Sequence, residues 1–171
     1  GWDRLFSPLT HQGERGLQIE AVAALAPMWQ WAARGPINIG YSAFHAYEVS
    51  GPGVDGWLIV AQIASLAAAL GCGVLLLHWL FAGTPTAAVA WLALTLVGAF
   101  VVTSPALSPQ YLLWFAPAAA VLLGTAHRDD PDAPAWLPAQ VAWGITLTLC
   151  VLTTVVYPIA YDALLQHRIT T

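Results

Sequence analysis

The chain has 171 residues, 58% of them hydrophobic and 8% charged, with a mean hydropathy of +0.68. Soluble domains carry about 25% charged residues. The composition therefore excludes a disordered protein, a nucleic-acid binder and an ordinary soluble enzyme, and its apolar excess calls for lipid. Nine acidic residues face five basic ones, all arginine, so no basic patch exists to hold nucleic acid.

The first 55 residues hold eight of the fourteen charged residues: Asp3, Arg4, Glu14, Arg15, Glu20, Arg34, Glu48 and Asp55. They read as a juxtamembrane, extracytoplasmic segment. No basic n-region followed by an apolar h-region opens the chain. It starts at Gly1 and stops abruptly at Thr171, which suggests a piece of a longer polypeptide. Leu17 to Ala33 is moderately apolar and is broken by Pro27. It predicts an interfacial helix or a short broken one. Residues 35–53, rich in glycine and aromatics, predict irregular structure with a short hairpin.

Between Gly56 and His127, and again between Ala133 and Tyr161, there is no Asp, Glu, Lys or Arg. A spanning helix needs about 20 predominantly apolar residues. Turn signals divide these stretches into four predicted spans, near Trp57–Phe81, Thr86–Val102, Pro109–Ala126 and Trp136–Tyr157. Pro117 predicts a kink in the third, which membrane helices tolerate. The expected fold is all-α, a polytopic helix bundle over 56–158. Residues 159–171 read as a loop leading to a further helix. Tryptophans at span ends, such as Trp57, Trp79 and Trp136, suit the headgroup belt. Cys72 and Cys150 lie in apolar runs, where thiols act as small hydrophobes.

Three stretches carry candidate chemistry. In Glu14-Arg15-Gly16-Leu17-Gln18-Ile19-Glu20, polar side chains adjoin an apolar segment. On a helix, Arg15 and Gln18 would share a face. Arginine suits phosphate oxygens, and Gln18 and Glu20 suit sugar hydroxyls. The blander reading is a solvated helix start. Gln110 and Tyr111 stand at the mouth of the third span, with Ser108 as a cap and Pro109 at the first helical position. His45, Tyr47 and Glu48 are candidate pocket-lining residues. The five histidines show no metal-ligand spacing, and Asp129, Asp130 and Asp132 read as solvated charge. No metal or cofactor is expected. No charge lies at the centre of a span, which disfavours an ion pump or proton-coupled transporter.

These residues also resemble a known family. Arg15 to Ala21 resembles the "RGLQIES" segment, and Ser108 to Trp114 the "SPQYLLW" segment, of bacterial polytopic GT-C membrane glycosyltransferases. The branch is the mannosyltransferase-like one common in actinobacteria. Tyr41 to Gly53 resembles the segment between these motifs, and Val156-Tyr157-Pro158 with Tyr161 to Leu165 resembles the loop before the last helix.

The resemblance implies transfer of a sugar, such as mannose, from a polyprenyl-phosphate donor to a lipid or cell-wall glycan acceptor. The site would lie on the outer face of the bacterial cytoplasmic membrane. It implies that Arg15 meets the phosphate, while Gln18, Glu20, Gln110 and Tyr111 hold sugar or donor groups. Glu20 is the weak candidate for a base. The family's catalytic acid usually lies in a first outer loop that has no counterpart here, so the isolated chain is expected to be inactive. The positive-inside count places both ends in the cytoplasm, whereas the resemblance places the Arg15 segment outside. Competing readings are a non-catalytic membrane scaffold and a transporter, for which Gln62 and His78 would be the polar groups available.

Overall fold

A computed structural model describes residues 15–82, 86–129 and 136–162. Glu14, residues 130–135 of the acidic loop and residues 163–171 lie outside the described residues. The chain forms two compact units. Among the described residues, one comprises residues 15–68 together with Val101–Ser108, and the other comprises the rest.

The first unit corrects the all-α expectation, because it contains a three-stranded antiparallel sheet. Strands β1 (Leu17–Gln18), β2 (Asn38–Tyr41) and β3 (Tyr47–Ser50) are ordered β1-β3-β2. Leu17 pairs with Val49 and Gln18 with Glu48. The β2–β3 hairpin expected in 35–53 is present, with Tyr41 opposite Tyr47. Its tip turns from Ser42 to Ala46, joined by a 2.8 Å bond from the Ser42 N–H to the Ala46 carbonyl. His45 takes the left-handed conformation that ends such a three-residue loop (φ 58°).

Between β1 and β2 lie a 3-10 turn, Val22–Ala24, and helix α1, Leu25–Ala32. Pro27 falls in the first turn of α1, where its missing N–H removes no helical bond. The helix ends in a Schellman motif. Gly35 N–H donates to the Gln30 carbonyl and Arg34 N–H to that of Trp31, with Arg34 left-handed at φ 62°. Leu17, Ile37, Pro27 and Val49 supply buried apolar groups to this unit.

After β3, Gly51-Pro52-Gly53-Val54 makes a turn closed by the Val54 N–H on the Gly51 carbonyl. Proline at its second position and Gly53 at φ 80° give it type II character. This turn launches helix α2, Val54–Ala82, with Asp55 in its first turn favourable to the helix dipole. Helix α3, Thr86–Thr103, ends at Ser104-Pro105. In the first unit, Ser65 Oγ donates to the Thr103 carbonyl at 2.8 Å.

In the second unit, a 3-10 helix (Pro109–Trp114) leads into α4, Phe115–Asp129, followed by α5, Trp136–Thr154. Ala90 on α3, Leu122 and Ala126 on α4, and Ala139 on α5 form its buried core. Small residues there let helices approach closely. The third span, in which Pro117 was expected to bend the helix, changes from 3-10 to α geometry at Phe115. The α-helix starts at Phe115, so Pro117 sits in its first turn. A π-helical turn, Val155–Ala160, follows α5 and contains Tyr157 out of helical geometry (φ −124°, ψ 108°). Tyr157 precedes Pro158, whose ring drives the preceding residue toward extended geometry.

Two helices are long and apolar enough to cross a membrane, Val54–Ala82 and Trp136–Tyr157. Their apolar side chains lie outside the core: Ile63, Leu70, Phe81, Leu137 and Val151 are all exposed. A core helix of a water-soluble domain would bury them. Ala88–Thr103 is a shorter apolar helix. The expected third span is divided between 3-10 and α geometry, leaving α4 alone at about 22 Å. The hydrocarbon core is about 30 Å thick.

Candidate site on the sheet of the first unit

The sheet is two-faced because side chains alternate along strands. Leu17, Val49 and Ile39 are opposed on one face, and Gln18, Glu48 and Gly40 on the other. Arg15 and Gln18 therefore share no helical face. The chain here is extended, and Gln18 instead lies directly across from Glu48. The Ile19 N–H donates to the Tyr47 carbonyl at 3.1 Å. Gln18 and Glu48 consequently form the closer, non-hydrogen-bonded kind of antiparallel pair.

That register turns the main chain of Gln18 away from β3. Its N–H donates to the Pro105 carbonyl at 3.0 Å, and its own carbonyl accepts from the Ala21 N–H at 3.0 Å. The free edge of β1 is thus occupied by the segment that follows α3. Ser104 holds that segment, its Oγ donating to the Ala106 carbonyl and accepting from the Ala106 N–H. Ser104, Ala106 and Leu107 are all buried, as is Gln18 at 6% exposure.

Glu48 leans toward Gly16. A Cβ built on Gly16 would stand 2.6 Å from Glu48 Oε2, so the bare backbone of Gly16 makes room for the carboxyl group. The Arg15 guanidinium lies over the Phe44 ring, 5.5 Å from its centroid, a cation–π contact. At the hairpin tip Tyr41 packs edge-on to Tyr47 at 5.1 Å, and its ring is 6.1 Å from His45.

Two side-chain atoms stand out. Arg15 Nε and Glu48 Oε1 are buried with no hydrogen-bond partner. A buried polar group left without a partner costs about 1–3 kcal/mol. They are the two such atoms among the described residues, and Glu48 rests on the residue next to Arg15. Glu20, half-buried, follows β1 and has its own partner interactions.

The expected site residues thus fall into two groups. Arg15, Gln18 and Glu20 belong to the first unit, where the fold adds Glu48, Gly16 and Phe44. Gln110 and Tyr111 belong to the second unit. Gln110 is exposed on the 3-10 helix. Tyr111 is half-buried in an aromatic trio, its ring centroid 4.6 Å from that of Trp114 and 5.7 Å from that of Phe100. Of the expected pocket-lining residues, His45 and Tyr47 join the tip aromatics and Glu48 lies against Gly16. Among the described residues, no group of three His, Cys, Asp or Glu side chains is placed to hold a metal ion.

Glu48 is the residue that sequence reasoning undervalued. Its signal was present in two apolar–polar–apolar triplets, Leu17-Gln18-Ile19 and Tyr47-Glu48-Val49. Pairing them in antiparallel register puts the two polar centres opposite each other. No family model, curated protein or solved structure matches this chain.

Proposed function

We propose that the chain belongs to an integral membrane glycosyltransferase that transfers a mannose-like sugar from a polyprenyl-phosphate donor to a lipid or glycan acceptor. In this reading four segments cross the bacterial cytoplasmic membrane. Pro109–Asp129, as 3-10 plus α-helix, is about 34 Å long, enough for a span. The sheet then faces the extracytoplasmic side.

One observation carries the reading. The Gln18–Pro105 bond ties the segment resembling the first glycosyltransferase motif to the residues just before the second. The joined segments lie in the same unit as an arginine and a glutamate that each have a buried polar atom without a hydrogen-bond partner. Chemically, the Arg15 guanidinium suits a departing lipid phosphate, where a fixed cation stabilises charge that develops in the transition state. An acidic group, with Glu20 the candidate in this chain, would take the proton of the acceptor hydroxyl. Gln18 completes the donor-binding set within the first unit.

The test is sugar transfer by the polypeptide of the complete gene in membranes, with a radiolabelled polyprenyl-phosphate sugar. Arg15→Ala should lower transfer by roughly 100-fold or more, with membrane insertion unchanged. Near-normal turnover would remove Arg15 from the site.

A further inference from the structure

Helix α1 is apolar on every side, with Gln30 its one polar side chain. Pro27 and Trp31 are buried, so one face of the helix packs on the first unit. The opposite face is open. Leu25 and Trp29, one turn apart, are 68% and 79% exposed, and Ala32, in the next turn, is exposed as well. Val22, in the 3-10 turn before the helix, is also exposed. Single exposed apolar residues are ordinary on a protein surface. A ridge of them along a helix that is apolar all round calls for a second apolar medium.

The place of α1 in the fold says which medium. Asn38, which follows α1, pairs with Ser50, just before α2, and the bare backbone of Gly51 lies against Pro36. The exit of α1 and the entry of α2 are therefore close together within this unit. Helix α2 is long and apolar enough to cross a membrane. Trp57, in its first turn, is exposed, as a tryptophan at headgroup level is. No Asp, Glu, Lys or Arg lies between Glu20 and Arg34, so α1 brings no charge that must stay in water.

We infer that α1 is a membrane-surface anchor whose partner is the lipid bilayer, with Leu25, Trp29 and Ala32 seated at the boundary of headgroups and acyl chains. This rests on the crossing of the membrane by α2, part of the reading above, and adds a second attachment. The sheet of the first unit is then tied to the bilayer by α1 as well as by α2. The attachment works by apolar burial and needs no anionic lipid.

The experiment is spin-label accessibility on the full chain in nanodiscs of phosphatidylcholine, a lipid without net charge. In a background of Cys72→Ala and Cys150→Ala, nitroxides are placed singly at Leu25→Cys, Trp29→Cys and Ala32→Cys. Ile63→Cys, on an exposed position of α2 in the same unit, is the lipid reference. Circular dichroism of each variant should match the parent. Ala32→Cys is the mildest change and keeps the test open if Trp29→Cys does not fold. At least two of the three α1 labels should be relaxed more by oxygen than by a water-soluble nickel chelate, at a depth of about 5–10 Å.

Labels on α1 open to the nickel chelate, with Ile63 in lipid, overturn the anchor and leave the crossing by α2 intact. Labels on α1 shielded from both reagents overturn it in favour of a protein surface covering the helix. A label at Ile63 open to the nickel chelate removes the crossing itself, and the anchor with it.

Discussion

The backbone N–H of Gln18 donates to the carbonyl of Pro105 at 3.0 Å. Gln18 is available for this bond because its pair with Glu48 is of the non-hydrogen-bonded kind, which turns its main chain outward. Pro105 has no N–H of its own, but its carbonyl is free to accept because α3 ends at Thr103. A strand edge that would otherwise stand open is closed by the exit of an apolar helix.

Gly16 holds space for Glu48. Gly16→Ala forces only the end of a flexible side chain to move, so stability should change by less than about 1 kcal/mol. Thermal unfolding in detergent should therefore match the parent.

The turn into α2 separates two glycines. Gly51 is at φ 140°, and a Cβ there would meet the Pro36 carbonyl oxygen at 2.7 Å. Gly53 is at φ 80° with open space around it. Gly51→Ala should cost about 3 kcal/mol, strain plus clash, and Gly53→Ala about 1 kcal/mol. Melting temperatures of the two variants should rank in that order.

Arg34 ends helix α1 in a left-handed conformation that favours glycine. Arg34→Gly should raise stability by about 1 kcal/mol. A lower melting temperature would show that the arginine side chain contributes more than its backbone strain removes.

The apolar runs made the helices legible. Unbroken hydrophobicity from Trp57 to Phe81 admits no amphipathic alternative, and α2 extends that run only to Val54 and Ala82. Its start is fixed by the Gly51-Pro52-Gly53 turn, which was visible as irregular structure. The sheet was harder to read. β1 has two residues, too few for alternation to outweigh a helical spacing such as Arg15 to Gln18. Its partner lies thirty residues away, so the pairing that exposes Glu48 is tertiary information. Pro117 was ambiguous for a related reason: proline disrupts a helix interior and suits a first turn, and the α-helix start at Phe115 puts it in the first turn.

Leu70 lies near the middle of α2 and is 64% exposed. If α2 crosses a membrane, Leu70→Arg should make insertion about 3 kcal/mol less favourable. Glycosylation mapping of the helix in a translocon assay should show insertion falling sharply. Unchanged insertion would place that face of α2 away from lipid.

The most direct test of the transferase account is photo-crosslinking in nanodiscs with a polyprenyl-phosphate sugar carrying a diazirine, followed by peptide mapping. The account predicts labelling within residues 15–20 or 41–50 that excess unlabelled donor removes and Arg15→Ala abolishes. Labelling confined to lipid-facing helix residues, unaffected by competitor, would contradict it.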